Sequence, residues 1–177
     1  MNIERIINGC KNLARTGWMQ HGIPSSIAET VSDHSFEASI LAYLLAIELK
    51  KRGVDVNPER AGIIALFHDI GESIIGDLPK WTSERVSNKK ELEMDAFKVL
   101  GLDPNLFDEY KEAKTNEGLI AKLSDKLSTY LQGVRYSKLG YDVKEIIDSV
   151  IDEIENYLKI YPLSLIREKV LEIIKGI

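Results

Sequence analysis

The chain has 177 residues, 44% hydrophobic and 29% charged, a balance that suits a globular protein with one core and excludes a disordered tail. Its 23 Lys and Arg against 28 Asp and Glu leave a formal charge of −5, which argues against a partner that is a nucleic-acid polymer, since such binders carry a basic field. A single cysteine, Cys10, excludes an internal disulfide framework and a thiolate metal site, while the longest apolar runs are too short to span a bilayer and the charged N-terminus does not read as a signal peptide; the expectation is a cytoplasmic protein with no membrane partner.

Helical periodicity runs through most of the chain and strand alternation is nearly absent. Ile3, Ile6, Ile7, Cys10 and Leu13 form a first stripe. Residues 16–31 are irregular. Phe36, Ile40, Leu41, Leu44, Leu45 and Ile47 form a second stripe, wide enough to predict a central helix buried on most sides. Asn57-Pro58-Glu59 starts another helix, with Asn57 as cap and Pro58 in the first turn. That helix is expected to run to about Asp69 and to stop at Gly71. A second irregular stretch covers residues 70–83, and irregular stretches of this length tend to carry function. Asp103-Pro104 marks a further start. Ile120, Leu123, Leu127, Tyr130, Leu131 and Val134 stripe a long helix, Ile146 to Leu158 the next, and a last helix follows Pro162. The fold class is therefore all-α, with residues 1–177 read as one domain and the C-terminal helices at about 142–175.

Few residues offer chemistry. Of three histidines, His34 opens a helix in ETVSDHSFEAS, and His68 precedes Asp69 near a helix end in ALFHDIGES. Asp125 lies inside a helix in AKLSDKLSTY, with Ala121, Lys122, Ser128 and Thr129 one turn away, which allows a partly polar face beside the apolar stripe. Two imidazoles and two carboxylates suit a divalent transition ion and leave positions for water or substrate. Adjacent residues on a regular helix point about 100° apart. His68 and Asp69 can share one ion only if it lies over the helix end, which agrees with the stop expected at Gly71. Taken singly, each of these residues has a plainer reading: His34 as a polar residue of a first turn, Asp125 as a carboxylate paired with a neighbouring lysine.

Jointly the pattern resembles the HD-domain metal-dependent phosphohydrolases, and within them the 5'-deoxynucleotidase branch. The matching strings are Arg15-Thr16-Gly17-Trp18, Glu29 to His34, His68-Asp69-Ile70-Gly71-Glu72, Gly76-Asp77-Leu78-Pro79 and Leu123-Ser124-Asp125-Lys126-Leu127, spanning about residues 15–127. The resemblance implies an HD-domain helical bundle, a homodimer, and His34, His68, Asp69 and Asp125 as ligands of one divalent ion. Manganese, cobalt, zinc, iron and copper all tolerate this set, and no further histidines are placed to hold a second ion. The substrate it implies is a deoxynucleoside 5'-monophosphate.

Within that frame, Glu72 is expected to accept or relay a proton from the attacking water. Asp77, in a tight turn, would accept from a sugar hydroxyl or help to protonate the leaving 5'-oxygen. Arg15 offers a planar, permanently charged grip on phosphate. Trp18 is read as a wall of the sugar pocket, where a bulky indole excludes a ribose 2'-hydroxyl; Trp81 is a second candidate wall, and Lys80 and Arg85 add positive charge. Base identity is expected to go largely unread. Two rivals remain at this stage: a phosphohydrolase of cyclic or polyphosphorylated nucleotides, and a non-catalytic helical binding domain stapled by an ion.

Overall fold

The computed structural model describes residues 3–176, and its described residues are helical with no strand beyond one isolated bridge between Ala14 and Thr30. The all-α expectation is borne out. In chain order the helices are α1 (Ile3–Asn12), α2 (Thr16–Gln20), α3 (Val31–Lys51), α4 (Pro58–Phe67), α5 (Glu72–Ile75), α6 (Lys80–Ser83), α7 (Lys89–Val99), α8 (Pro104–Glu112), α9 (Asn116–Lys138), α10 (Lys144–Tyr157), a 3-10 turn at Leu163–Ile166 and α11 (Arg167–Lys175).

Local chemistry sets the helix starts. Thr30 and Asp33 form a reciprocal capping box before α3, satisfying amides that would otherwise lack partners. Asn57 accepts from Arg60 N with Pro58 in the first turn of α4, and Asp103 accepts from Asn105 N before α8, as their sequences predict. The two irregular stretches contain the short helices α2, α5 and α6. Helix α7 had no sequence expectation: Ala96 and Phe97 are its buried residues, too few to make a readable stripe.

The core is built by α3, α4 and α9, with α10 against α9. The wide stripe expected to bury most sides of α3 does not do so. Leu41 and Leu45 are buried, but Phe36 is 64% exposed, Leu44 54% and Ile40 44%. Ala38, Ala42, Ala46 and Leu49 bury instead. Small residues let α4 and α9 approach the α3 backbone closely, so the face that packs is the one with least side-chain volume. A smaller apolar cluster of Ala14, Trp18, Ile23, Ala28, Tyr136 and Val143 ties α2 and the following turn to the C-terminal part of α9.

Candidate metal centre

The N-terminal part of α3, the C-terminal end of α4 and the middle of α9 converge on a buried polar spot inside this apolar frame. His34 is fully buried in the second turn of α3. Helix α4 ends at Phe67, and the backbone turns through residues 68–71 with bonds from Ile70 N to Phe67 O and from Glu72 N to Asp69 O. This early turn brings two adjacent side chains to one point, meeting the geometric demand placed on His68 and Asp69. Asp125 is 6% exposed on α9.

The donor atoms face one another. His34 Nε2 lies 3.1 Å from Asp125 Oδ1 and 3.9 Å from Asp69 Oδ2. His68 Nε2 lies 3.0 Å from Asp69 Oδ2 and 3.8 Å from Asp125 Oδ1. His34, His68 and Asp125 each present a ligand atom within 4.8 Å of the others, with Asp69 on their flank. His68 Nδ1 is 2.6 Å from Ala65 O, which requires a proton on Nδ1 and, in the neutral ring, leaves the Nε2 lone pair to a ligand. That buried Nε2 has no hydrogen bond. An orphaned imidazole lone pair facing two carboxylates fits a cation.

Burial lowers the proton affinity of His68, but Asp69 at 3.0 Å and Asp125 outweigh it and raise the imidazole above its usual value, so a cation at Nε2 would stand where the carboxylates now draw a proton. Burial and the charge of Arg15 push His34 down to about 4, so it is neutral at pH 7, the form that ligates. Burial alone would raise Asp125, yet Lys126 and the hydrogen bond with His34 hold it well below the usual carboxylate range. Its second oxygen, Oδ2, accepts from the Tyr110 hydroxyl at 2.7 Å and lies 3.5 Å from Lys126. Oδ1, which faces the Nε2 atoms of both His34 and His68, is the oxygen that an ion would take.

The remaining expected residues surround this group. Arg15 Nη1 lies 3.5 Å from Thr129 Oγ1 and 3.8 Å from Glu29 Oε2. Burial, with Asp69 and Asp77 adding to it, pushes the Glu72 carboxyl up to about 10, and its Oε2 is buried without a partner. Asp77 Oδ2 accepts from the backbone N–H of Thr16, and the Asp77 carbonyl accepts from the Thr16 hydroxyl at 3.0 Å. Trp18 sits behind the site: it is 2% exposed, stacks edge-on to Tyr136 and donates to Glu29 Oε2 at 2.8 Å. In this state its ring offers little surface to a sugar. Trp81 is 67% exposed with the Arg85 guanidinium 4.1 Å over its ring, and Lys80 bonds Ser149 at 3.0 Å. His21 bonds Gly17 O and lies outside the ligand group.

Two participants escaped the sequence reading. Glu29 joins Trp18 and Arg15 and lies 3.9 Å from His34 Nδ1; it was within a matching string, but a carboxylate just before a helix start reads as a surface residue. Tyr110 orients Asp125 from α8, and no local pattern signals that. The polar face around Asp125 is real: Ser124, Ser128 and Thr129 are buried with it.

A helical body that gathers two imidazoles and a carboxylate at converging helices, with Asp69 beside them, defines a domain with a candidate site for a divalent metal. The HD domain family model matches residues 7–159, and the chain belongs to that family. It is 30% identical over 154 residues to 5'-deoxynucleotidase HDDC2 of Dictyostelium discoideum, covering 81% of this chain and 80% of that protein. It is 32% identical over 118 residues to a 5'-deoxynucleotidase of Vibrio cholerae, covering 59% and 61%. Among solved structures, a conserved hypothetical protein from Pyrococcus furiosus superposes with a TM-score of 0.86 at 35% identity, over 99% of this chain and 100% of that one. The PH0347 protein from Pyrococcus horikoshii gives 0.84 at 31% identity, over 97% of each.

Proposed function

We propose that this chain is a phosphomonoesterase that hydrolyses deoxynucleoside 5'-monophosphates to deoxynucleoside and phosphate. The observation that carries the reading is the orphaned His68 Nε2 facing Asp69 and Asp125 beside His34, with Arg15 and Glu72 at its edge. A structural staple has no use for a half-buried arginine and a carboxyl oxygen buried without a partner, which disfavours the non-catalytic alternative. The names of the curated relatives support the substrate class.

His34, His68, Asp69 and Asp125 would hold one divalent transition ion, which when bound supplies Lewis-acid activation of water and neutralises phosphoryl charge. Arg15 grips the phosphoryl group with a guanidinium that stays charged. Glu72 holds and passes a proton at its free Oε2, the raised affinity following from its burial beside Asp69 and Asp77. Asp77, whose Oδ2 is engaged by Thr16, serves a sugar hydroxyl or the departing 5'-oxygen. Trp18, expected to wall the sugar, is instead packed behind the site, where its indole N–H holds Glu29 in place. The reading includes a cytoplasmic setting; among the described residues, no helix is long and apolar enough to cross a membrane.

It also includes a homodimer. The exposed stripe of Phe36, Ile40, Tyr43 and Leu44 on α3, with Ile63 and Leu66 on α4, supports a second copy as the cover, because apolar surface on this scale marks interaction sites. Light scattering of Leu44→Glu, expected to run as a monomer, checks this.

The decisive experiment is phosphate release by chelated protein with single divalent ions restored, across deoxy- and ribonucleoside monophosphates, triphosphates and cyclic nucleotides. Metal-dependent release from deoxynucleoside monophosphates with little base preference is expected. Turnover confined to cyclic or triphosphate substrates would overturn the reading, as would no turnover with any ion.

A further inference from the structure

The lysines around the metal centre are engaged, with one exception. Lys126 pairs with Asp125 at 3.5 Å and Glu153 at 3.3 Å. Lys111 pairs with Glu93 at 2.7 Å, and Lys89 with the same carboxylate at 3.5 Å. Among the described residues, Lys122 makes no hydrogen bond and no ion pair. Its Nζ instead lies 3.9 Å from the centre of the Tyr110 ring, the same tyrosine whose hydroxyl donates to Asp125 Oδ2. Lys122 is half-buried, and that burial, against the pull of Asp125, lowers its pKa to about 8. Holding an ammonium partly out of water without an anion is costly, and a ring face repays only part of the lost hydration.

Position says which anion fits. Residues 122, 125 and 129 lie along one face of α9, spaced by whole turns of about 5 Å. Arg15 reaches Thr129, one turn beyond Asp125; Lys122 stands one turn before it. Two cations of different type therefore bracket the ligand carboxylate. Lys126 is already engaged by Asp125 and Glu153, which leaves Lys122 as the lysine on this face of α9 without an anion among the described residues. A compact ammonium suits phosphate oxygen as a point charge.

We propose that Lys122 is a second phosphate-binding cation, closing on the substrate phosphoryl group from the side opposite Arg15. This rests on the phosphomonoesterase reading for its substrate, but its test does not require turnover.

The test uses Lys122→Gln and Lys122→Arg in the full chain loaded with manganese, with calorimetric titration of inorganic phosphate beside metal content, melting temperature, kcat and KM. A charge-assisted hydrogen bond is worth on the order of a 10- to 100-fold change in affinity. Lys122→Gln should weaken phosphate binding and raise KM by about that factor, with metal content and melting temperature unchanged, and Lys122→Arg should recover most of the loss. Unchanged phosphate affinity in Lys122→Gln overturns the proposal. So does loss of metal along with phosphate, which would make Lys122 a support for Tyr110 and Asp125. If the wild type binds phosphate through Lys122 but releases none from any deoxynucleotide, the function reading fails and this assignment stands.

Discussion

The two ends of helix α3 are buried to a similar degree by opposite means. Toward its C-terminal end, Ala42, Leu45, Ala46 and Leu49 pack against α4 and α9 with no polar atom to satisfy. Toward its N-terminal end, His34 and Ser35 are as deeply buried. There His34 Nδ1 meets Ser128 at 3.3 Å, Ser128 donates to Glu37 at 3.2 Å, and His34 Nε2 faces the carboxylates. Apolar burial stabilises the fold and is indifferent to direction. Polar burial is tolerable only where each atom has a designated partner, and the cluster at this end is one that could hold an ion. The same helix thus supplies stability at one end and chemistry at the other, so damage at the two ends should be separable.

The largest effect expected is from His68→Ala. Removing one imidazole should lower metal content and reduce phosphate release by on the order of 1,000-fold or more, while the circular dichroism spectrum keeps its helical shape. Collapse of that spectrum would show that the polar end also holds the fold. Glu72→Gln comes next, with kcat down about 100- to 10,000-fold and metal content measured as unchanged; intact turnover with metal bound would remove Glu72 from proton transfer. At the apolar end, Leu45→Ala leaves a cavity in a site 1% exposed and should cost about 2–5 kcal/mol of unfolding free energy in denaturant titration. Metal affinity and activity per folded molecule should not move.

The smallest effect sharpens the boundary between the ends. Burial raises the Glu29 carboxyl from 4.5 to about 7. Between those values the unfolded chain releases a proton that the folded chain keeps, so folded stability falls as pH rises through the window. In metal-free protein, Glu29→Gln should therefore flatten the decline in melting temperature between about pH 5 and about pH 7. An unaltered slope would mean that Arg15 keeps Glu29 ionised throughout.

Residues that act on their own sequence neighbours were legible in the chain. Asn57, Asp103 and the Pro residues after them announced helix starts because a cap bonds an amide two or three residues away. The end of α4 was legible only in part: the sequence placed it at about Asp69, whereas the helix stops at Phe67, because both adjacent ligands turn off the helix rather than its last residue alone. The covered face of α3 was not legible, since hydropathy reports what a side chain would gain from burial and not which neighbour arrives to bury it. Phe36 and Leu44 remain exposed for that reason. Glu29, Tyr110 and Lys122 belong to the same class: Glu29 meets Arg15, Trp18 and His34 across the loop before α3, Tyr110 meets Asp125 from another helix, and Lys122 is marked by the lack of an anion.

The amino-acid order by itself determined the helical class, the caps and the identity of the four metal-ligating candidates, because periodicity, short-range hydrogen bonding and side-chain chemistry are properties of local sequence. Only the tertiary structure decided that His34, His68, Asp69 and Asp125 meet, which tautomer His68 adopts, and which cations flank them. Those outcomes depend on distances between segments up to about 90 residues apart, and such distances are set by packing.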